Sequence, residues 1–130
     1  NKSIIPVYGN GKNIREWIHV EDHINTLIKL SKKGKVGECY NIGSNYEIDN
    51  LSLINKICKY FDKNFPKSKS YSDLIKFVKD RPGHDKRYSI DSTLVRKEFN
   101  WKPLNSFDFD LKNTILWYLN NQNWCKKLKF

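Results

Sequence analysis

Residues 81–88 read RPGHDKRY and gather three cations, a histidine and one acid around a Pro-Gly pair. Three chemistries use such a group: proton transfer by the histidine, attraction to a nucleic acid, or a clamp on one small polyanion. Pro82-Gly83 suits the central positions of a type II turn, which throws Arg81 and His84 to the same side. An arginine fork beside an imidazole donor matches a diphosphate, because guanidinium meets phosphate oxygens bidentately. Catalysis by His84 would need a nucleophile or carboxylate aimed at its ring. Asp85, adjacent in sequence, does not supply that geometry, and the chain holds no G-x-S-x-G elbow. The clamp is the better-supported reading.

Other stretches carry weaker signals. Tyr8 and Lys12 have the Y-x-x-x-K spacing of a helical catalytic pair, but Gly9-Asn10-Gly11 between them does not sustain a helix. The same turn lacks the spacing and the hydroxyl residue of a phosphate loop. Arg15, in NIREW beside Trp17, reads equally as an exposed side chain packing its stem over an aromatic or as an anion ligand. Asn41, in YNIGS before Gly43, is an ordinary turn former, yet strand ends are where α/β proteins bind ligands.

Composition narrows the choice. The chain has 130 residues, enough for one domain with a core, and 38% of them are hydrophobic and 14% aromatic, a globular balance. No apolar run approaches the roughly 20 residues of a membrane span. The start, NKSIIPVYGNGK, carries neither a signal pattern nor an initiator Met, so the sequence is expected to continue upstream. Cys39, Cys58 and Cys125 have no metal-ligand spacing and read as reduced thiols of a cytoplasmic protein, Cys58 within an apolar helix stripe. The net charge of +10 invites a polyanion, but much of it is scattered lysine, as in SKKGK and CKKLKF, which is ordinarily solvated surface. No nucleic-acid module has its spacing here. Trp101, Trp117 and Phe107 fall on amphipathic patterns and read as core.

These residues must be positioned by short elements. Ile5 and Val7, then Ile14 to Val20, alternate as two extended segments about GNGKN. Glu21 and Asp22 open a helix with Ile24, Leu27, Ile28 and Ser31 on one face, ended by Gly34. GECYNIGS reads as a strand running into a glycine turn. Asp49 or Asn50 caps a second helix with Ile54, Ile57, Cys58 and Phe61 as its stripe. A strand is expected around Phe77 and Val78, a helix capped by Asp91 or Ser92 runs through Phe99, and a last one carries Phe107, Leu111, Ile115, Tyr118 and Leu119. The pattern is α/β.

Taken in order, IPVYGNGKNIREWIHVEDH, GECYNIGSN, SYSDLIKFVKDRPGHDKRYSID, NWKP and WYLNNQNW resemble the C-terminal part of the dTDP-glucose 4,6-dehydratase family, extended short-chain dehydrogenases/reductases that act on nucleotide sugars. The resemblance covers essentially all 130 residues and implies a single nucleotide-sugar-binding region, with the last strand or strands of a Rossmann sheet and most of that sheet absent. It implies that Pro6 and Tyr8 meet the nucleotide base, that Arg15, Arg81 and His84 bind the diphosphate, and that Asn41 lies near the nucleotide. It further implies a dTDP-sugar substrate, an NAD held by the N-terminal part, a homodimer at full length, and a lyase whose Tyr-Lys pair lies upstream. No catalytic, cofactor or metal residue is then expected here. Two departures stand out: Glu16 replaces an aspartate in IREW, and Asp110 occupies a position where the family tends to have glycine, which puts the start of the last helix in question.

Overall fold

A computed structural model describes residues 4–128; residues 1–3 and the tail residues 129–130 lie outside it. Its elements are β1 (Ile5–Tyr8), β2 (Ile14–Glu16), α1 (Val20–Lys33), β3 (Glu47–Asp49), α2 (Asn50–Asn64), a 3-10 turn over Tyr71–Leu74, β4 (Ile75–Val78), α3 (Thr93–Phe99), α4 (Phe107–Asn120) and α5 (Gln122–Lys127). The mixture is α/β, as the alternation of short extended runs with helical stripes requires.

The two extended segments around GNGKN do not pair with each other. β1 runs parallel to β4, with Ile5 opposite Ile75 and Tyr8 opposite Val78, while β2 pairs antiparallel with β3. A hairpin is prevented by the turn itself: Gly9 and Gly11 both have positive φ, at 56° and 71°, and swing the chain out of the first ladder into the second. Both parallel strands therefore end together, at Tyr8 and Val78.

Capping decides several helix starts. Of the two candidates at α2, Asp49 is the cap: its carboxylate accepts from the Ser52 N–H at 2.9 Å and from the Ser52 hydroxyl at 2.6 Å. Such a cap is worth about 1 kcal/mol. At α3 the cap position falls to Ser92, but Asp91 does the bonding, accepting from the Thr93 N–H at 2.9 Å. α4 begins normally: the Ser106 hydroxyl and carbonyl accept from the N–H groups of Phe109 and Asp110. Asp110 is buried there and takes a 3.0 Å hydrogen bond from the Asn105 amide, so the helix start holds without glycine.

The core of the described residues is small: Val7, Leu53, Cys58, Val95 and Ile115 are its buried apolar members. Cys58 sits there as expected, and burial raises its thiol pKa. Three expectations change. GECYNIGS forms no strand: residues 38–46 join no ladder, although Asn45 turns the chain with a φ of 63° and the Tyr46 carbonyl accepts from the Trp17 N–H at 3.0 Å. The apolar face of α1 exists, yet Ile24, Leu27 and Ile28 stay about half exposed, and the residues that α1 buries are Asp22 and Thr26. Trp117 is exposed rather than core, edge-on to both Tyr118 and Trp124. Phe107 does pack inward, stacked on Tyr46 with centroids 4.0 Å apart. No helix among the described residues is long and apolar enough to cross a membrane.

Candidate functional site

The shared end of β1 and β4 carries the site. After Val78 the chain turns through Pro82-Gly83. Gly83 has a φ of 65° and the His84 N–H donates to the Arg81 carbonyl at 3.3 Å, which is the type II turn expected from sequence. Its consequence also holds: Arg81 Nη2 and His84 Nε2 are 3.0 Å apart.

The carboxylate partner of His84 is Asp80, a residue that sequence reasoning passes over when it rejects Asp85. Asp80 Oδ1 lies 2.6 Å from His84 Nδ1 and also accepts from the Arg81 N–H at 2.8 Å. The available signal is an acid four residues before the histidine, folded back by the turn. A guanidinium can only donate, so Nε2 is the accepting nitrogen and the ring proton sits on Nδ1, toward Asp80. The His84 hydrogen bond is the main reason the Asp80 carboxyl titrates below its ordinary value. Gly9 makes room for this carboxylate: a Cβ there would come within 2.6 Å of Asp80 Oδ2.

The loop is then stitched to β2. The Ile14 N–H donates to the Lys86 carbonyl at 2.8 Å, and the Tyr88 N–H donates to the Ile14 carbonyl at 3.1 Å. This brings in Arg15, whose Nη2 donates to the Asp85 carbonyl at 3.1 Å and whose guanidinium carbon lies 4.6 Å over the Tyr88 ring. Arg15 does cover an aromatic, but Tyr88 rather than Trp17. The Tyr88 hydroxyl in turn donates to the Asp85 carboxylate, which raises its pKa. Arg81 covers Tyr8, with 5.4 Å from its guanidinium carbon to the ring centroid.

Among the described residues neither Arg15 nor Arg81 has a carboxylate within ion-pair distance. Two guanidiniums without a carboxylate partner, Arg81 just beyond the carboxyl end of the parallel strand β4 and Arg15 on the adjoining β2, are equipped to receive an anion. Pro6 and Tyr8 line a neighbouring cavity of about 180 Å³ together with Val7, Trp17, Asn50, Leu53 and Ile54. Asn50, the first residue of α2, is a polar contributor that the sequence suggests only as a cap. Asn41 is exposed on the irregular 38–46 segment, and no hydrogen bond among the described residues ties it to this group. Glu16, the other departure, braces the backbone: its two oxygens accept from the N–H groups of Asn45 and Ile90, at 2.7 and 2.9 Å.

A larger cavity of about 600 Å³ lies between the start of α1, α2 and α4, and is lined in part by Asp22, Asp108 and Asp110. Its carboxylates would repel a phosphate, so size does not make it the anion site. The Gly9–Gly11 turn is not a dinucleotide loop: it leads into β2, whereas dinucleotide phosphates require a glycine turn opening a helix. No group of three or more metal-ligating side chains occurs among the described residues.

Residues 1–114 match the protein family described as GDP-mannose 4,6 dehydratase. The chain belongs to that family. A probable dTDP-glucose 4,6-dehydratase of Sinorhizobium fredii is 45% identical over 125 residues, covering 96% of this chain and 36% of that protein. The chain thus spans about a third of the length of the curated relatives it matches. A dTDP-glucose 4,6-dehydratase from Bacillus anthracis, solved in complex with NAD, superposes with a TM-score of 0.85 at 37% identity, over 98% of this chain and 38% of that one. DesIV of Streptomyces venezuelae, a dTDP-glucose 4,6-dehydratase solved with NAD and TYD bound, gives a TM-score of 0.84 at 33% identity, over 94% and 36%. The family-level expectation from sequence, part of an extended short-chain dehydrogenase/reductase of the dTDP-glucose 4,6-dehydratase kind, is borne out.

Proposed function

We propose that residues 1–130 are one nucleotide-sugar-binding region of a dTDP-glucose 4,6-dehydratase, and that Arg15, Arg81 and His84 clamp the diphosphate of a dTDP-sugar. The observation that carries this reading is the pair of guanidiniums without carboxylate partners at one loop, Arg81 beside His84 past the common end of β1 and β4 and Arg15 reaching in from β2 to the Asp85 carbonyl. Pro6, Tyr8 and Asn50, around the smaller cavity, take the base, and Asn41 approaches the nucleotide from the 38–46 segment. Binding energy gathered this far from the hexose serves to place its reacting carbons.

The reaction proposed for the intact protein is loss of water from dTDP-glucose to give a 4-keto-6-deoxy sugar. NAD, held outside these residues, would supply hydride acceptance and return. The remainder of the enzyme is therefore the first partner, with a second copy of it completing a homodimer and the cytoplasm as the compartment. The surface lysines are read as solvated, with no nucleic acid as partner.

Calorimetric titration of the intact protein with dTDP, UDP and GDP tests this. Saturable binding that prefers dTDP and weakens about tenfold to a hundredfold in Arg81→Ala is expected, the loss of one or two charge-assisted hydrogen bonds. A clamp on a diphosphate neutralises about two charges, so affinity should fall only shallowly with salt. Steep salt dependence, with an oligonucleotide outcompeting dTDP, would instead favour a nucleic-acid surface. Preference for UDP or GDP would keep the clamp and change the substrate.

A further inference from the structure

We propose that Asp80 is a positioning residue for the anion site: it fixes which nitrogen of His84 accepts from Arg81, and so holds the guanidinium that meets the ligand. The inference rests on the clamp reading above and adds a residue to it. The His84 side chain is only 5% exposed, so its ring has little freedom to offer either nitrogen at will. Asp80 Oδ1 occupies Nδ1 at 2.6 Å, leaving Nε2 as the nitrogen that looks toward the Arg81 guanidinium, 3.0 Å away. In this tautomer Nε2 carries a lone pair and no proton, so it accepts from Arg81 and holds that guanidinium in place to meet an anion.

Asp80 is itself held on three sides. The Arg81 N–H donates to the same Oδ1 at 2.8 Å, and the absent side chain of Gly9 leaves just enough space for Oδ2. The third constraint is its place in the chain, directly after β4 and beside the Tyr8 turn, where the Gly9 N–H donates to the Val78 carbonyl at 3.0 Å. A carboxylate anchored to the parallel pair therefore transmits the rigidity of β1 and β4 to a side chain on a turn. Side chains that bind charge gain most when a second partner orients them.

The test separates orientation from mere stability by using two variants. In Asp80→Asn the amide oxygen must still sit where Oδ1 was, because both the Arg81 N–H and the His84 Nδ1–H donate to that point. Asp80→Ala removes the acceptor. Long-range 1H–15N spectra of the intact, 15N-histidine-labelled protein read the tautomer directly, with the His84 signal assigned by its loss in His84→Gln. The expected result is an Nδ1–H tautomer in the parent and in Asp80→Asn, and a shift toward Nε2–H in Asp80→Ala. Affinity for dTDP and for inorganic pyrophosphate should fall roughly tenfold in Asp80→Ala and recover most of that in Asp80→Asn. An unchanged tautomer in Asp80→Ala overturns the proposal, and so does unchanged affinity there while His84→Gln binds more weakly. If Asp80→Ala does not fold, Asp80→Asn decides alone: a parent-like tautomer with near-parent affinity supports the proposal, and an altered tautomer overturns it. Failure of Arg81→Ala to weaken binding is a different result. It removes the clamp reading, while the tautomer spectra still report on Asp80.

Discussion

Arg81 and Arg87 occupy one loop, yet their circumstances are opposite. Arg87 is consumed: its Nε and Nη2 donate to the two oxygens of Glu47 at 2.7 and 2.6 Å, and the Ser89 hydroxyl adds a third bond to that carboxylate at 2.8 Å. Arg81 meets only neutral partners, the His84 ring and the face of Tyr8. The other two arginines meet no carboxylate among the described residues and differ in what their contacts join. Arg96 donates to the Ser92 hydroxyl and the Gly43 carbonyl and covers Trp101, tying α3 to the 38–46 segment, whereas Arg15 ends on backbone carbonyls and the Tyr88 ring. Where cation meets carboxylate the chain is being held in place. Cations left to carbonyls and aromatic faces keep most of their charge available to a ligand.

The comparison breaks most visibly if the two site arginines without carboxylate partners are removed. Arg15→Ala with Arg81→Ala should weaken dTDP binding by at least about a hundredfold, with two charge-assisted contacts gone, and leave far-UV circular dichroism unchanged. A large loss of helix in that variant would mean the two residues hold the fold rather than a ligand. Arg87→Ala should do the reverse: dTDP affinity within about twofold of the parent by calorimetry, with a lower melting temperature. Loss of dTDP binding there, in a protein that still melts cooperatively, would erase the distinction.

The smallest expected effect concerns acid. The hydrogen bonds from Arg87, then Ser89, lower the Glu47 pKa from 4.5 to about 2. A carboxyl depressed in the folded state adds stability that is fully present above its unfolded value. That contribution is lost as pH falls from about 4.5 toward about 2. Glu47→Gln lacks this contribution, so its melting temperature should lie below the parent's at pH 6, and the gap should narrow as pH falls to about 2, where Glu47 itself is half protonated. Parallel curves across that window would show that the bidentate pair contributes nothing through charge.

Much of the fold was legible because its signals are local. Pro82-Gly83 dictated its own turn, and with it the approach of Arg81 to His84. The periodic stripes located α1, α2 and α4. The apolar run about Phe77 marked β4. The missed features were non-local, or local but of a kind that spacing rules do not cover. β3 is only three residues long and exists because Ile14, Arg15 and Glu16 pair with it, so no periodicity could announce it. GECYNIGS has a strand's composition but joins no ladder among the described residues, and a strand is a relation between segments rather than a property of one. The half-exposed face of α1 makes the same point about helices.

The amino-acid order by itself determined the turn at Pro82-Gly83, the helix caps, the excess of positive charge and, through its motifs, the family. These depend on torsional preference and on neighbours a few residues away, which any chain with this order carries even before it packs. Only the tertiary structure decided which arginines are free. That outcome turned on the parallel pairing of β1 with β4 across some seventy positions, from Ile5 to Ile75, and on the delivery of Glu47 to Arg87. A charge becomes a binding group or a structural one according to what reaches it through space, and spacing along the chain does not encode that.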